Sequence, residues 1–203
     1  MARKTQISKD IILQSALNML IRDGYSSINI KTLAKEIGCS TQPIVWHFEN
    51  MEGLRTALAE YAREYANHKM CPTGDNAVAA FEQVGRAFVA IAVKEPNLFH
   101  FLNLNEKKGQ SEESFGAIIT NKNNAEMITN ISEYLGISEE RVGRYLQNTM
   151  IYAHGIATLV ATNVIKATEE EMMAMINRAA DAFLRQEGVS EDKIPDRSKH
   201  AGI

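Results

Sequence analysis

Ser40, Thr41, Gln42, Trp46 and His47 fall within eight residues and offer two hydroxyls, a carboxamide, an indole N–H and an imidazole, with Val45 among them. These groups donate and accept hydrogen bonds, and Lys31 stands a short distance upstream with a free ammonium. None has the sequence context of an activated nucleophile: GxSxG, P-loop, GxGxxG and HExxH patterns are all missing. The carboxylate pairs Glu112–Glu113 and Glu139–Glu140 sit in polar, solvated stretches, and Glu169–Glu170–Glu171 reads as a charge cluster at a helix start. The five histidines, His47, His68, His100, His154 and His200, show no HxxxH spacing, and no cysteine cluster accompanies them. The expected chemistry is recognition rather than catalysis, with no metal and no cofactor.

Composition is compatible with that. The chain has 203 residues, 45% hydrophobic and 23% charged, as in an ordinary globular protein of one large or two small domains. The longest apolar run, Ala87 to Val93, has seven residues, where a membrane span needs about 20. The start MARKTQISKD is polar, and Cys39 and Cys71 form no CxxC, so a cytoplasmic protein without membrane partners is expected. The net charge of −3 is unevenly spread: residues 1–48 carry +3 and the rest −6. A basic head on an acidic body keeps nucleic acid in view.

The elements that must position these groups read as helices nearly throughout, an all-α chain. The first starts after Ser8 and stops at Gly24. The second has Asn29 as its N-cap, a staple between Ile28 and Leu33, and Gly38 as its stop. The third starts after Ser40 with Pro43 in its first turn, and Ile44 and Phe48 face inward. Gly38 supplies the tight turn, and Cys39 is expected as a small buried contact beside the anchor Ile37. Helix, short helix, glycine turn and third helix make a helix-turn-helix plan. It leaves Thr41, Gln42, Val45, Trp46 and His47 outward or sideways. An ordinary three-helix corner, or a buried Trp46, are the alternatives.

Further helices are expected at about 52–70, from Ala77 to near Pro96, at 97–102, 117–135, 138–166 and 169–186, with a polar loop over 103–116 and a mobile tail over 187–203. Val142, Leu146, Thr149, Ala153, Ile156 and Val160 recur at steps of four and three, a coiled-coil-like seam whose alternative is intramolecular core. Tyr145, Tyr152 and Leu159 form a second apolar line. Phe88, Phe99, Met127, Met150 and Tyr152, with His100 and His154 as hydrogen-bonding groups, can enclose an apolar or aromatic small molecule.

The run IKTLAKEIGCSTQPIVWHFENMEGL, Ile30 to Leu54, resembles the TetR family of bacterial transcriptional regulators, through Leu33-Ala34, Gly38, Ser40, His47-Phe48 and Leu54. Gly24 and Tyr25 match the usual end of the family's first helix, and PNLFHFL and HGIATL look like segments common in its ligand-binding half. The resemblance implies a DNA-binding domain over 1–52 and a helical effector-binding and dimerisation domain over 53–186. It implies a homodimeric repressor on near-palindromic operator DNA, released or modulated by a small-molecule effector. A helical ligand-binding or protein-interaction module with weak DNA binding is the alternative. The third helix would lie in the major groove, with Gln42 reading adenine and Thr41 touching a thymine methyl or a phosphate. Lys31, Lys9, Arg3 and Lys4 would meet the backbone, as would the free N–H groups at both short helix starts. Val45 and Met51 stand where many members carry phosphate-binding Tyr and Lys, and a ring N–H of Trp46 or His47 is the expected replacement. The last two long helices would form the dimer bundle, with Leu146, Ala153, Ile156, Val160, Ile176, Ala180 and Phe183 at the interface.

Overall fold

The computed structural model describes residues 7–71, 77–104 and 122–195, which form an all-α chain with no strand among the described residues. Its helices are α1 (Lys9–Asp23), α2 (Ile30–Ile37), α3 (Gln42–Phe48), α4 (Met51–Lys69), α5 (Ala77–Lys94), α6 (Pro96–Asn103), α7 (Lys122–Leu135), α8 (Glu139–Ala161) and α9 (Glu169–Gln186). None of them is long and apolar enough to cross a membrane. The chain divides into two compact units, Met1–Lys69 with Lys94–Glu106, and Met70–Val93 with Lys107–Ile203.

The first unit is built around α1, which packs against α2, α3, α4 and α6. Ser8 Oγ accepts the Ile11 N–H at 3.3 Å, and Gly24, at φ +82°, closes the helix by donating to the Leu20 carbonyl at 3.0 Å. Between these caps Ile12, Leu13, Ala16, Leu17 and Leu20 are buried on one side. Leu54, Leu58, Ala62 and Ala66 of α4 complete the core, so this unit extends past residue 52. α6 joins it from far along the chain. The Asn97 carboxamide donates to the Ile21 carbonyl at 3.1 Å, which supplies a partner at the end of α1. The Phe101 ring stacks on Tyr25 at 5.1 Å, and Arg55 lies over the same tyrosine at 5.5 Å.

In the second unit α8 packs between α7 and α9. Its core holds Ile131, Leu135, Val142, Tyr145, Leu146 and Leu184, with Phe81 of α5 tilted against Tyr145 at 6.0 Å. Thr168 and Glu171 form a reciprocal capping box at the start of α9, with 2.8 and 3.2 Å bonds.

Several expectations are corrected. α8 ends at Ala161 rather than Lys166, because Asn163 turns to φ +58° and the Val164 N–H donates back to the Leu159 carbonyl at 2.9 Å. Residues 187–195 are a packed segment, not a mobile tail. Val189 is buried in the α7–α8–α9 core, and the buried Glu187 carboxylate receives three N–H contacts from Arg144, the shortest at 2.9 Å. α3 begins at Gln42 with Thr41 as its cap, and neither the Ser40 nor the Thr41 hydroxyl closes the first turn. The expected helix over 117–121, most of the loop over 103–116 and the final residues 196–203 lie outside the described residues.

Candidate nucleic-acid interface

The site starts from one cap. Asn29 Oδ1 accepts the backbone N–H groups of Lys31 and Thr32, each at 3.0 Å. Thr32 Oγ1 accepts the Asn29 N–H at 2.9 Å and donates to the Ser27 carbonyl at 2.8 Å. This network fixes the entry into α2 and takes up the N–H groups expected for phosphate. The α2 start is therefore corrected: the Lys31 and Thr32 N–H groups are held by Asn29, and Lys31 offers its exposed side chain instead. Asn29→Ala is expected to cost about 1 kcal/mol, since it orphans two donors at once. Urea unfolding measures this, and an unchanged midpoint would remove the cap's role.

Gly38, at φ +77° and ψ +32°, then turns the chain, with Cys39 N–H donating to the Ala34 carbonyl at 2.9 Å. Cys39 itself is half-buried. A left-handed residue is needed here, and glycine takes it without a Cβ clash. The short span that follows delivers α3 with Ile44 and Phe48 buried one turn apart. Those two anchors fix the rotation of α3. Gln42, Val45 and Trp46 then share the opposite face at i, i+3 and i+4, with Glu49 at i+7 just past the helix end. Trp46 is 68% exposed and Val45 43%, so Trp46 is not a core residue. Ser40, Thr41, Gln42 and Lys31 are exposed alongside.

His47 is corrected. Its Nε2 lies 3.1 Å from the Ile7 carbonyl, so this nitrogen carries the proton and donates inward. It ties the chain before α1 to α3, and the exposed Trp46 ring stands beside it. Lys9 places its ammonium 5.8 Å from the Phe48 ring centroid, on the side of the same anchor. Arg3 and Lys4 lie outside the described residues.

Two contributors were not read from the sequence. Asn50 Oδ1 accepts from Glu52 N–H at 2.9 Å and Gly53 N–H at 3.0 Å, which starts α4 immediately after α3. A Cβ on Gly53 would stand 2.2 Å from the Phe48 carbonyl oxygen. Only glycine allows that approach, and nothing in the local pattern announces it, because the contact is set by the angle between two helices.

The residues expected around a small molecule are divided between the units. Phe99 is fully buried and His100 half-buried, both on α6 of the first unit. Phe88, Met127, Met150, Tyr152 and His154 belong to the second. There Phe88 and His154 meet, ring centroids 4.7 Å apart. Met150 is half-buried, Met127 packs on the α7–α8–α9 core and Tyr152 is exposed.

Burial holds the His154 imidazole below the ordinary histidine value of 6.5. The unfolded chain therefore takes up a proton near that value while the folded chain does not. Its contribution to stability is full above the unfolded value and is lost as pH falls toward the folded one. Urea midpoints at about pH 7.5 and about pH 5.5 should show this loss, and His154→Phe should reduce it. An equal pH slope in the variant would contradict the assignment.

The residues expected at a dimer interface are in large part buried within the chain itself. Leu146, Ala153, Ile156, Ile176 and Ala180 are buried within the single chain, and Phe183 packs on the same core. Val160 is half-buried. Steps of three and four describe any helix face that meets another helix, and for Leu146, Ala180 and Phe183 the partners are in the same chain. The apolar surface that α8 leaves exposed is instead Ile151, Tyr152 and Leu159.

Residues 12–58 match the family described as bacterial regulatory proteins, tetR family. An uncharacterised HTH-type transcriptional regulator of Mycobacterium tuberculosis (strain ATCC 25618 / H37Rv) is 33% identical over 57 residues, 28% of this chain and 26% of that relative. The match thus spans about a quarter of the relative's length. Among solved structures, TetR from Acinetobacter baumannii AYE superposes with a TM-score of 0.59 at 17% identity, covering 89% of this chain and 96% of that one. A variant of the same TetR in complex with minocycline gives 0.56 at 16% identity, with the same coverage. These two likenesses show the fold.

Proposed function

We propose that this chain, whose residues 12–58 match the tetR-family model, is a transcriptional regulator of that kind that represses as a homodimer on near-palindromic operator DNA and is released by a small organic effector. The observation that carries this is the outward ridge of α3, where Gln42, Val45 and Trp46 stand exposed opposite the buried Ile44 and Phe48. A seven-residue helix anchored on two side chains and bare on the other face fits a major groove. Lys31 and Lys35 of α2 stand ready for phosphate.

One such unit covers too little DNA for selective binding, so two copies are required. The exposed Ile151, Tyr152 and Leu159 of α8 are the surface offered for self-association. The effector belongs to the second unit, near Phe88 and His154, where an aromatic face and a neutral imidazole can meet a flat polar molecule. The minocycline complex of the structural neighbour supports an organic effector of that general kind. The mechanism is then a population shift: the effector binds better to a conformation whose two reading helices no longer match successive grooves. It requires no bond to be made or broken by the protein.

Selection from a random-sequence duplex pool by the full-length chain tests this reading. The enriched sequences should share a two-fold repeated motif with half-sites about 10–10.5 base pairs apart, centre to centre. A pool that remains unenriched would overturn the regulator and favour a ligand-binding or interaction module.

A further inference from the structure

We propose that Val45 is a specificity residue that reads the 5-methyl group of a thymine one base step from the base pair contacted by Gln42. The inference rests on α3 entering the major groove as just proposed, and goes beyond it by assigning a base and an atom to a side chain that cannot hydrogen-bond.

Solvation decides which base suits Val45. Val45 is apolar and 43% exposed, on the same face as Gln42 and Trp46. Its exposure is not an accident of a frayed end. Ile44 and Phe48, on either side of it in sequence, are buried and fix the rotation of the helix. Docked in a major groove, the Val45 isopropyl group loses water on one side. The groove floor is polar almost everywhere: it presents N7 and O6 of guanine, N7 and N6 of adenine, N4 of cytosine and O4 of thymine. Against any of these, valine strips water from a polar edge and returns no hydrogen bond, which is unfavourable. The thymine methyl is the one apolar feature that the four bases display there. Val45 is therefore favourable over thymine and unfavourable elsewhere, which is discrimination without a donor.

Geometry sets the position. Gln42 and Val45 are three residues apart, about 4.5 Å along the helix axis. Successive base pairs are about 3.4 Å apart. The two side chains therefore fall on adjacent or near-adjacent steps. Trp46, beside them, has an indole N–H that suits the flanking phosphate. Glu49 lies at the far end of the face, away from the Gln42 end that meets the bases. The basic balance of residues 1–48, net +3, favours duplex DNA as the occupant of this face over an acidic-surface-avoiding apolar partner.

The test uses the duplex enriched from the random pool, synthesised with 2′-deoxyuridine in place of each thymine in turn, and the full-length chain. Removing one methyl from both strands' half-sites alters no hydrogen bond and does not touch the protein fold. One thymine per half-site should prove sensitive. There, wild type should bind about fourfold more weakly per half-site, the size of one buried methyl group at ~0.8 kcal/mol. Val45→Ser should bind the thymine and uracil duplexes within about twofold of each other, while Gln42→Ala should keep the methyl effect at that position. Thermal melting of Val45→Ser should match wild type, since the side chain is exposed. If every uracil replacement is neutral in wild type, or if Val45→Ser keeps the full methyl effect, the assignment is wrong while the regulator stands. If no duplex is enriched at all, both fail together.

Discussion

Gly53→Ala is expected to destabilise the chain by about 1–3 kcal/mol, the range for forcing atoms into a packed site, and to weaken duplex binding beyond what lost stability explains. A Cβ there would lie 2.2 Å from the Phe48 carbonyl oxygen. That oxygen is backbone, so it cannot swing aside as a side chain does. Relief requires α3 and α4 to part. Phe48 is one of the two anchors that aim the reading face, and the Gly53 N–H is itself held by Asn50 at 3.0 Å. A shift at Phe48 is therefore passed to Gln42, Val45 and Trp46. Gly85→Ala and Gly143→Ala are the controls, because a Cβ at either position meets nothing within 4 Å. Both lie inside helices, where alanine in place of glycine should stabilise by about 0.5–1 kcal/mol. Urea unfolding with parallel DNA titrations separates the cases. A Gly53→Ala chain as stable as wild type, with equal affinity, would refute the close approach.

Gln42→Ala should leave stability unchanged and relax discrimination at one base pair per half-site by about 1–3 kcal/mol. The side chain is exposed and lies on the face opposite Ile44 and Phe48, so its loss removes nothing from the core. A bidentate amide pairs adenine N6 and N7, and alanine pairs neither. With two half-sites in a dimer, the loss is doubled on the full site. Competition by duplexes carrying single base-pair changes reads it directly. The variant should treat all four bases nearly alike at that position and keep its preferences elsewhere. Retained preference for adenine there would sink the role of Gln42.

What could be read beforehand was local. Ser8, Asn29, Gly24 and Gly38 were legible as helix ends because caps and left-handed stops act within one turn of the residue concerned. The outward ridge of α3 followed from the spacing of Ile44 and Phe48 alone. What escaped depends on distant partners. Periodicity shows that Leu146, Ala153 and Ile156 face a helix, but not whether that helix belongs to the same chain. Glu187 looked like the start of a solvated tail, because Arg144, which holds it, is 43 residues away. His47 offered a free ring N–H until Ile7 took it from 40 residues upstream. The Gly53 approach depends on an interhelical angle that no residue pattern encodes.

On the proposed function, α3 binds duplex DNA selectively. Fluorescence anisotropy of the full-length chain on labelled DNA from upstream of its own coding sequence, against scrambled DNA, tests it most directly. Titrations at about 50 mM and about 200 mM salt separate phosphate contacts from base readout. Expected are saturation at two chains per duplex, a clear preference for the upstream DNA, and an affinity that falls about tenfold or more at the higher salt. No binding to either DNA at the lower salt would contradict it.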